Sequence, residues 1–468
     1  MNERHAALSL ILCLALTVPF ASADEKGPDP RTQWAQWRGP LATGVAPVGD
    51  PPTTWSETSN VRWKVDLPGR GLSTPIVWGD RVFITTSVPH GEEVAPPGGH
   101  AHGAHDNLSP RRRHRFVVMA FDRENGTLLW ERTVRDRRPH EATHVTGSWA
   151  SQSAVTDGKT LFVSFGSQGI YALDMQGQVL WEVDLVDMRT RHEHGEGSSP
   201  ALHGETLVVN WDHQGDSFVV ALDTKSGEPR WRVARDEITS WSTPLIVEHE
   251  GKAQVVVSAT HRIRSYDLAD GKLLWEASGL SRNVVASPVA ADGYVYIGNS
   301  YDWQAMLAVR LAGASGDITK TENVVWTRDR DAPYVPSPIL YDDRLCFLKH
   351  NQGVMICLEA RTGKPVFGPS RLPGIRNVFA SPVGAAGRIY VVDRNGNAVV
   401  IRHGDDFEVL ARNRLEDSFT ASPAIVGNAL YLRGDHHLYC IAEDPQGAGD
   451  PVGPDSGTAA VTGRRTPD

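Results

Sequence analysis

One phrase constrains the fold of this chain more than any other: Ala-x-Asp, a polar turn with a single glycine, then tryptophan. It runs from Val219 to Trp231 (VVALDTKSGEPRW) and recurs at Ala120 to Trp130 (AFDRENGTLLW), Ala172 to Trp181 (ALDMQGQVLW) and Ser265 to Trp275 (SYDLADGKLLW). A weaker copy spans Cys357 to Phe367 (CLEARTGKPVF). A second mark precedes each copy, a small residue usually followed by proline: Ser73-Thr74-Pro75, Ser153-Ala154, Ser199-Pro200, Ser242-Thr243-Pro244, Ser287-Pro288, Ser337-Pro338, Ser381-Pro382 and Ser422-Pro423. The steps between these marks are 79, 46, 44, 44, 50, 44 and 41 residues, and the longest contains a Gly- and His-rich insertion at about 88–115.

Each unit divides into four short strands, as in ASPVAADG, YVYIGNS, MLAVRL and VVWTRD, because apolar positions alternate and Asp-Gly turns separate them. A repeat of about 45 residues with four strands is a propeller blade, which buries its faces only by stacking on its neighbours. The prediction is an all-β chain, an eight-bladed β-propeller with four-stranded antiparallel blades. The last unit stops near Glu443 without a fourth strand, whereas Val61-Arg62-Trp63-Lys64-Val65 stands ahead of the first mark. That N-terminal strand is expected to close the last blade and leave no free sheet edge. Regular spacing assigns the repeated tryptophans to packing between blades.

The ends read differently. Residues 1–23 have the layout of a secretory signal peptide, with Arg4, an apolar run from Ala6 to Val18, Pro19, and the small residues Ala21-Ser22-Ala23. That run has 13 residues, against about 20 for a membrane span, so no transmembrane segment is expected after cleavage. An N-terminal segment at 24–54 leads into the propeller at 55–443, and 444–468 is too poor in apolar residues to order itself and is expected to be a disordered tail. The expected protein is exported, periplasmic or extracellular, and a monomer. A net charge of −9 and a pI near 6.1 supply no basic field for nucleic acid.

The repeated phrase resembles the tryptophan-docking repeat of the pyrroloquinoline-quinone-like eight-bladed propellers, which include quinoprotein alcohol dehydrogenases and the outer-membrane barrel-assembly lipoprotein. Trp37-Arg38-Gly39-Pro40 and His194-Gly195-Glu196-Gly197-Ser198-Ser199-Pro200 are similar to motifs of exported bacterial propellers of that superfamily. The resemblance covers about residues 34–443 and implies the fold. The quinoprotein dehydrogenases pair a Cys-Cys disulfide with a Glu, Asn and Asp calcium set. This chain has no Cys-Cys, and that carboxylate set finds no match by motif.

The resulting expectation is a non-catalytic ligand-binding or protein-interaction scaffold, with an exported protein, peptide or small molecule as partner and no cofactor. The alternative is a periplasmic oxidoreductase using pyrroloquinoline quinone or a divalent metal. The Gly-x-Ser-x-Gly elbow, the phosphate loop and the Cys-x-x-Cys zinc spacing are all missing from the sequence.

Strand alternation sends the loops between second and third strands, and those between blades, to one face. By this phasing 14 of the 18 histidines lie there. The candidate ligand-binding residues are His140, His192, His194, Glu196, Asp212, His213, His350 and Arg394, with Asp212-His213 and Arg394 approaching His192–Glu196 across the central opening. Near their ordinary pKa of about 6.5, these imidazoles would make the face more cationic toward pH 6. The insertion, with His90, His100, His102, His105 and His114, reads as a solvated flexible loop. Cys346 and Cys357 face each other across a hairpin. Cys357 and Cys440 occupy the place of Ala120, Ala172 and Ala221, a small buried site, which favours free thiols over the disulfide that an exported compartment permits.

Overall fold

A computed structural model describes residues 27–95 and 103–443; the expected signal peptide, the tail, His100 and His102 lie outside the described residues. Eight blades of four antiparallel strands follow one another, the fourth widened to a five-stranded sheet by the two-residue strand Gly316–Asp317, which pairs in parallel along its outer edge. The first comprises Ile76–Trp78, Arg81–His90, Arg113–Asp122 and Leu128–Arg137. The eighth comprises Ala424–Val426, Ala429–Arg433 and His437–Ile441, and Val61–Asp66 pairs with the last of these as its fourth strand. The N-terminal closure read from the sequence is therefore present.

The repeated phrase is a contact between blades. Trp63, Trp130, Trp181, Trp231 and Trp326 each donate their indole N–H to a carbonyl in the next blade's turn, at 2.8 to 3.0 Å. The same rings lie on the turn glycines Gly126, Gly177, Gly227, Gly271 and Gly363, where a Cβ would come within 2.7–2.9 Å of the indole. Those glycines also hold φ between +68° and +83°, a backbone region that side chains disfavour. One junction departs. Trp275 bonds Gln254 within its own blade, and Gly316–Asp317, from a long segment of the fifth blade, pairs alongside it. That segment replaces the glycine turn and accounts for the 50-residue step.

The Ser-Pro mark has its own cause. The backbone N–H of Thr74 donates to Ser153 Oγ, Ser153 to Ser199, Ser199 to Thr243, Thr243 to Ser287, Ser287 to Ser337, Ser337 to Ser381, and Ser381 to Ser422. These seven bonds, 2.9 to 3.1 Å long, form a hydroxyl girdle around the axis and satisfy the buried N–H groups of the innermost strands. Between the eighth and first blades, Arg433 bridges instead, donating to Ser73 Oγ and Thr85 O.

The N-terminal segment runs across the short-turn end, pairing Trp34 with Val77 and Val45 with Gly384. Between these points Arg38 enters the axis fully buried and donates to the carbonyls of Pro382 and Pro338 at 3.0 and 2.7 Å. With no carboxylate against it, burial pulls its pKa down to about 9.

Two expectations need correction. The described part of the insertion is no detached loop: Asn107–Leu108 pairs with Thr143–His144, and Val94 N–H bonds Arg111 O. His114 is buried in the third strand of its blade, against Trp149. Sequence composition missed this because few backbone bonds suffice to dock a Gly-rich segment on a preformed neighbour. Cys346 and Cys357, directly paired across their hairpin, form a disulfide, and Cys440 is the free, buried cysteine among the described residues. The cross-strand register itself brings the two sulfurs together, which outweighs the analogy with alanine in the other units. A mature chain starting after residue 23 should titrate one thiol when denatured without reductant and three after reduction; three before reduction would contradict the bond.

Candidate ligand-binding site

At the axis, on the face built by the loops between blades, the chain encloses a cavity of about 390 Å³. Its floor is Trp37, carried in by the same N-terminal segment that seats Arg38. Trp241, Tyr301, Tyr334 and Phe379 supply aromatic walls, and hydroxyls of the girdle, including Ser153, Ser199 and Ser381, line it lower down. Tyr334 is backed by His350, stacked at 4.7 Å, and Phe379 by the Arg394 guanidinium, 5.1 Å from its ring centre.

The His194–Pro200 motif shapes one wall. Gly195 sits at φ +82°, with Thr143 Oγ1 2.5 Å from where a Cβ would be, and its carbonyl accepts the Trp241 indole N–H at 2.7 Å. Gly197 lies under Trp241, Ser198 bonds Ser242 O, and Ser199 joins the girdle. Glu196 contributes to the wall but turns its carboxylate away from the axis onto Ser167.

Four imidazoles meet above this wall. His194 lies 4.7 Å from His144, 4.8 Å from His105 and 5.4 Å from His192, centre to centre. Burial, then the neighbouring imidazoles, push His194 down to about 4, and burial also lowers His144 and His213. The expected cationic switch near pH 6 is thereby corrected for His194, and for His144 and His213 it moves toward lower pH, because the charged form loses solvation there. Ring resonances of His194 followed by NMR should show the neutral imidazole down to about pH 5; a midpoint near 6.5 would contradict the packed cluster.

The other sequence candidates separate. His140 lies behind the Glu196 wall, its Nε2 bonded to Met188 O at 2.6 Å. His213 receives the Arg189 N–H on Nδ1 at 3.2 Å. Asp212 does not face the opening. Its carboxylate is buried against Arg235 at 2.8 Å and receives the Ser240 hydroxyl at 2.7 Å, so it forms part of the core. Trp37, Trp241, Tyr301, Tyr334 and Phe379 were missed, since they stand in connections that differ from blade to blade. The signal for Trp37 was present in the Trp37–Pro40 motif.

The fold and this axial cavity define a pyrroloquinoline-quinone-like eight-bladed propeller scaffold. A family profile described as "Outer membrane protein assembly factor BamB" matches residues 114–368, more than half of the chain. The chain belongs to that family. It is 19% identical over 337 residues to the outer membrane protein assembly factor BamB of Yersinia pestis, spanning 68% of this chain and 77% of that protein. It is also 27% identical over 146 residues to methanol dehydrogenase [cytochrome c] subunit 1 of Methylobacterium organophilum, covering 26% of this chain and only 22% of the dehydrogenase. Among solved structures, quinohemoprotein alcohol dehydrogenase from Comamonas testosteroni superposes with a TM-score of 0.60 at 9% identity, covering 93% of this chain and 83% of that one. BamB from Moraxella catarrhalis gives 0.50 at 15% identity, covering 78% and 99%.

Pyrroloquinoline quinone, implied by part of the superfamily, is a planar polycarboxylate that needs cations at its edge. Among the described residues lining the cavity there is neither lysine nor arginine, and burial lowers the pKa of the imidazoles of His144 and His194 that face it, so they supply no cation in their place. The disulfide lies buried within the sixth blade, in a different place from the axis. The residues present do not fit that quinone.

Proposed function

We propose that this protein is an exported, non-catalytic binding scaffold, and that its axial cavity holds an aromatic side chain of a peptide or a small uncharged ring compound. The observation that carries this reading is the wall of Trp241, Tyr301, Tyr334 and Phe379 over Trp37. Aromatic walls with a few amide and hydroxyl groups bind flat apolar groups by burial and orient them by hydrogen bonds. Asn283 lies in that wall with its amide oxygen buried and without a hydrogen-bond partner, suited to a ligand N–H. The Cys346–Cys357 bond suits an oxidising compartment, which supports export. Ring closure leaves no unpaired edge between blades one and eight, which supports a monomer. The relatives named as outer membrane assembly factors support a protein or peptide partner.

Panning a random heptapeptide library against the mature protein tests this reading. Enrichment of peptides with aromatic residues is expected, and it should vanish when Trp241→Ala and Tyr334→Ala are combined. Robust dye reduction with simple alcohols after reconstitution with pyrroloquinoline quinone and calcium would overturn the non-catalytic assignment.

A further inference from the structure

Behind the Glu196 wall lies a second, enclosed pocket of about 10 Å³, room for one water-sized occupant. It is held between the connection that leaves the first blade, the Gly166–Gln168 turn of the second, and the connection to the third. One donor atom from each of His140, Glu141 and Glu196 lies within 4.8 Å of the others. Each carboxylate is aimed by a single residue: Thr190 gives Glu141 its N–H and its hydroxyl, at 2.5 Å for the latter, and Ser167 does the same for Glu196. Each hydroxyl gives its proton to the carboxyl group and also accepts a backbone N–H, Gly195 on Thr190 and Met188 on Ser167.

The remaining groups add electron pairs. His140 Nε2 faces the Met188 carbonyl at 2.6 Å and carries the proton, which leaves Nδ1 as a lone pair; it is buried with no hydrogen-bond partner. Gln152 and Gln168 also line the pocket, at 2% and 3% exposure, and both amide oxygens lack partners. A single water has two protons and cannot serve the His140 lone pair, two carboxyl groups and two amide oxygens at once; protons on the carboxyls, which burial favours by raising Glu141 to about 7 and Glu196 to about 8, compete with an ion and are displaced when it binds. A cation satisfies them together.

We propose that His140, Glu141 and Glu196, with the amide oxygens of Gln152 and Gln168 behind them, bind one divalent first-row cation, Mn²⁺ or Zn²⁺. An imidazole combined with carboxylate and amide oxygens matches the preference of these ions, between all-oxygen calcium sites and thiolate-rich ones. Hydrogen bonds from Thr190 and Ser167 to the two carboxyl groups, and from His140 to the Met188 carbonyl, hold the three side chains toward the pocket. His140 and Glu141 also border a wider surface pocket, which gives the ion a way in. Bound there, the ion ties three segments together and fixes the cavity wall from behind.

The test uses untagged mature protein, stripped with chelator and titrated separately with MnCl₂ and ZnCl₂, read by calorimetry and by the EPR signal of free Mn²⁺. One equivalent should bind and raise the melting temperature. Glu196→Gln and, independently, His140→Asn should each weaken binding by about tenfold or more. His105→Ala combined with His192→Ala, in the imidazole cluster above the cavity, should leave this one equivalent intact. The proposal is overturned if neither ion binds the stripped parent. It is equally overturned if binding survives in both ligand variants, provided they melt like the stripped parent, or if it disappears only with the imidazole cluster.

Discussion

Replacing Trp63 with alanine is expected to destabilise the protein by about 3–5 kcal/mol, the range for deleting a large buried aromatic, and a chain starting at Gly69 is expected to lose cooperative unfolding. Trp63 is 7% exposed, in a strand whose register runs Trp63 to Cys440, Lys64 to Tyr439 and Val65 to Leu438. Its ring lies on Gly126 in the first blade and 6.0 Å from Tyr431 in the eighth, while its N–H bonds Arg123 O. One side chain thus joins the two ends of the ring. Chemical denaturation followed by circular dichroism measures the effect; a truncated chain that melts like the full mature protein would show that closure lies elsewhere.

A comparable loss is expected from Asp212→Ala, also about 3–5 kcal/mol, since a buried guanidinium would lose its counter-charge. Asp212 and Arg235 are both fully buried, joined by two hydrogen bonds of 2.8 and 3.2 Å. Arg235 further donates to Tyr266 Oη at 2.7 Å, and the Ser240 hydroxyl completes the carboxylate. Removing both partners together, Asp212→Leu with Arg235→Met, should recover part of the stability, because the two charges leave together while the buried Glu237, which Arg235 also offsets, keeps Arg264 and the His261 and Arg262 N–H groups. Urea unfolding of the two single variants and the double variant settles it: a single variant as stable as the parent would mean that this pair is not a buried structural unit.

What the sequence made legible follows from which contacts repeat. The turn glycine and the tryptophan recur because each indole rests on the glycine of the next blade, and the serine before proline recurs because its hydroxyl accepts a neighbour's N–H. Blade number, strand order and the closing strand could be read from those two marks. The cavity could not, because Trp241, Tyr301, Tyr334 and Phe379 stand in connections that each blade builds in its own way. Histidine counting pointed to the same face, yet it grouped residues of different kinds. His194 lines the cavity, His350 supports Tyr334 from behind, and Asp212 beside His213 belongs to the core. Glu141, Gln152 and Gln168 carried no motif at all; only the fold brings them to His140 and Glu196.

The central claim, that the axial cavity is where this scaffold takes its ligand, is tested most directly by titrating an enriched heptapeptide into three proteins under identical conditions. These are the parent, the Trp241→Ala and Tyr334→Ala double variant, and Glu250→Lys on the opposite, short-turn face. A rise in Kd of about tenfold or more in the cavity variant, with the parent value retained in Glu250→Lys, is the predicted result. Equal affinity for all three proteins would contradict it.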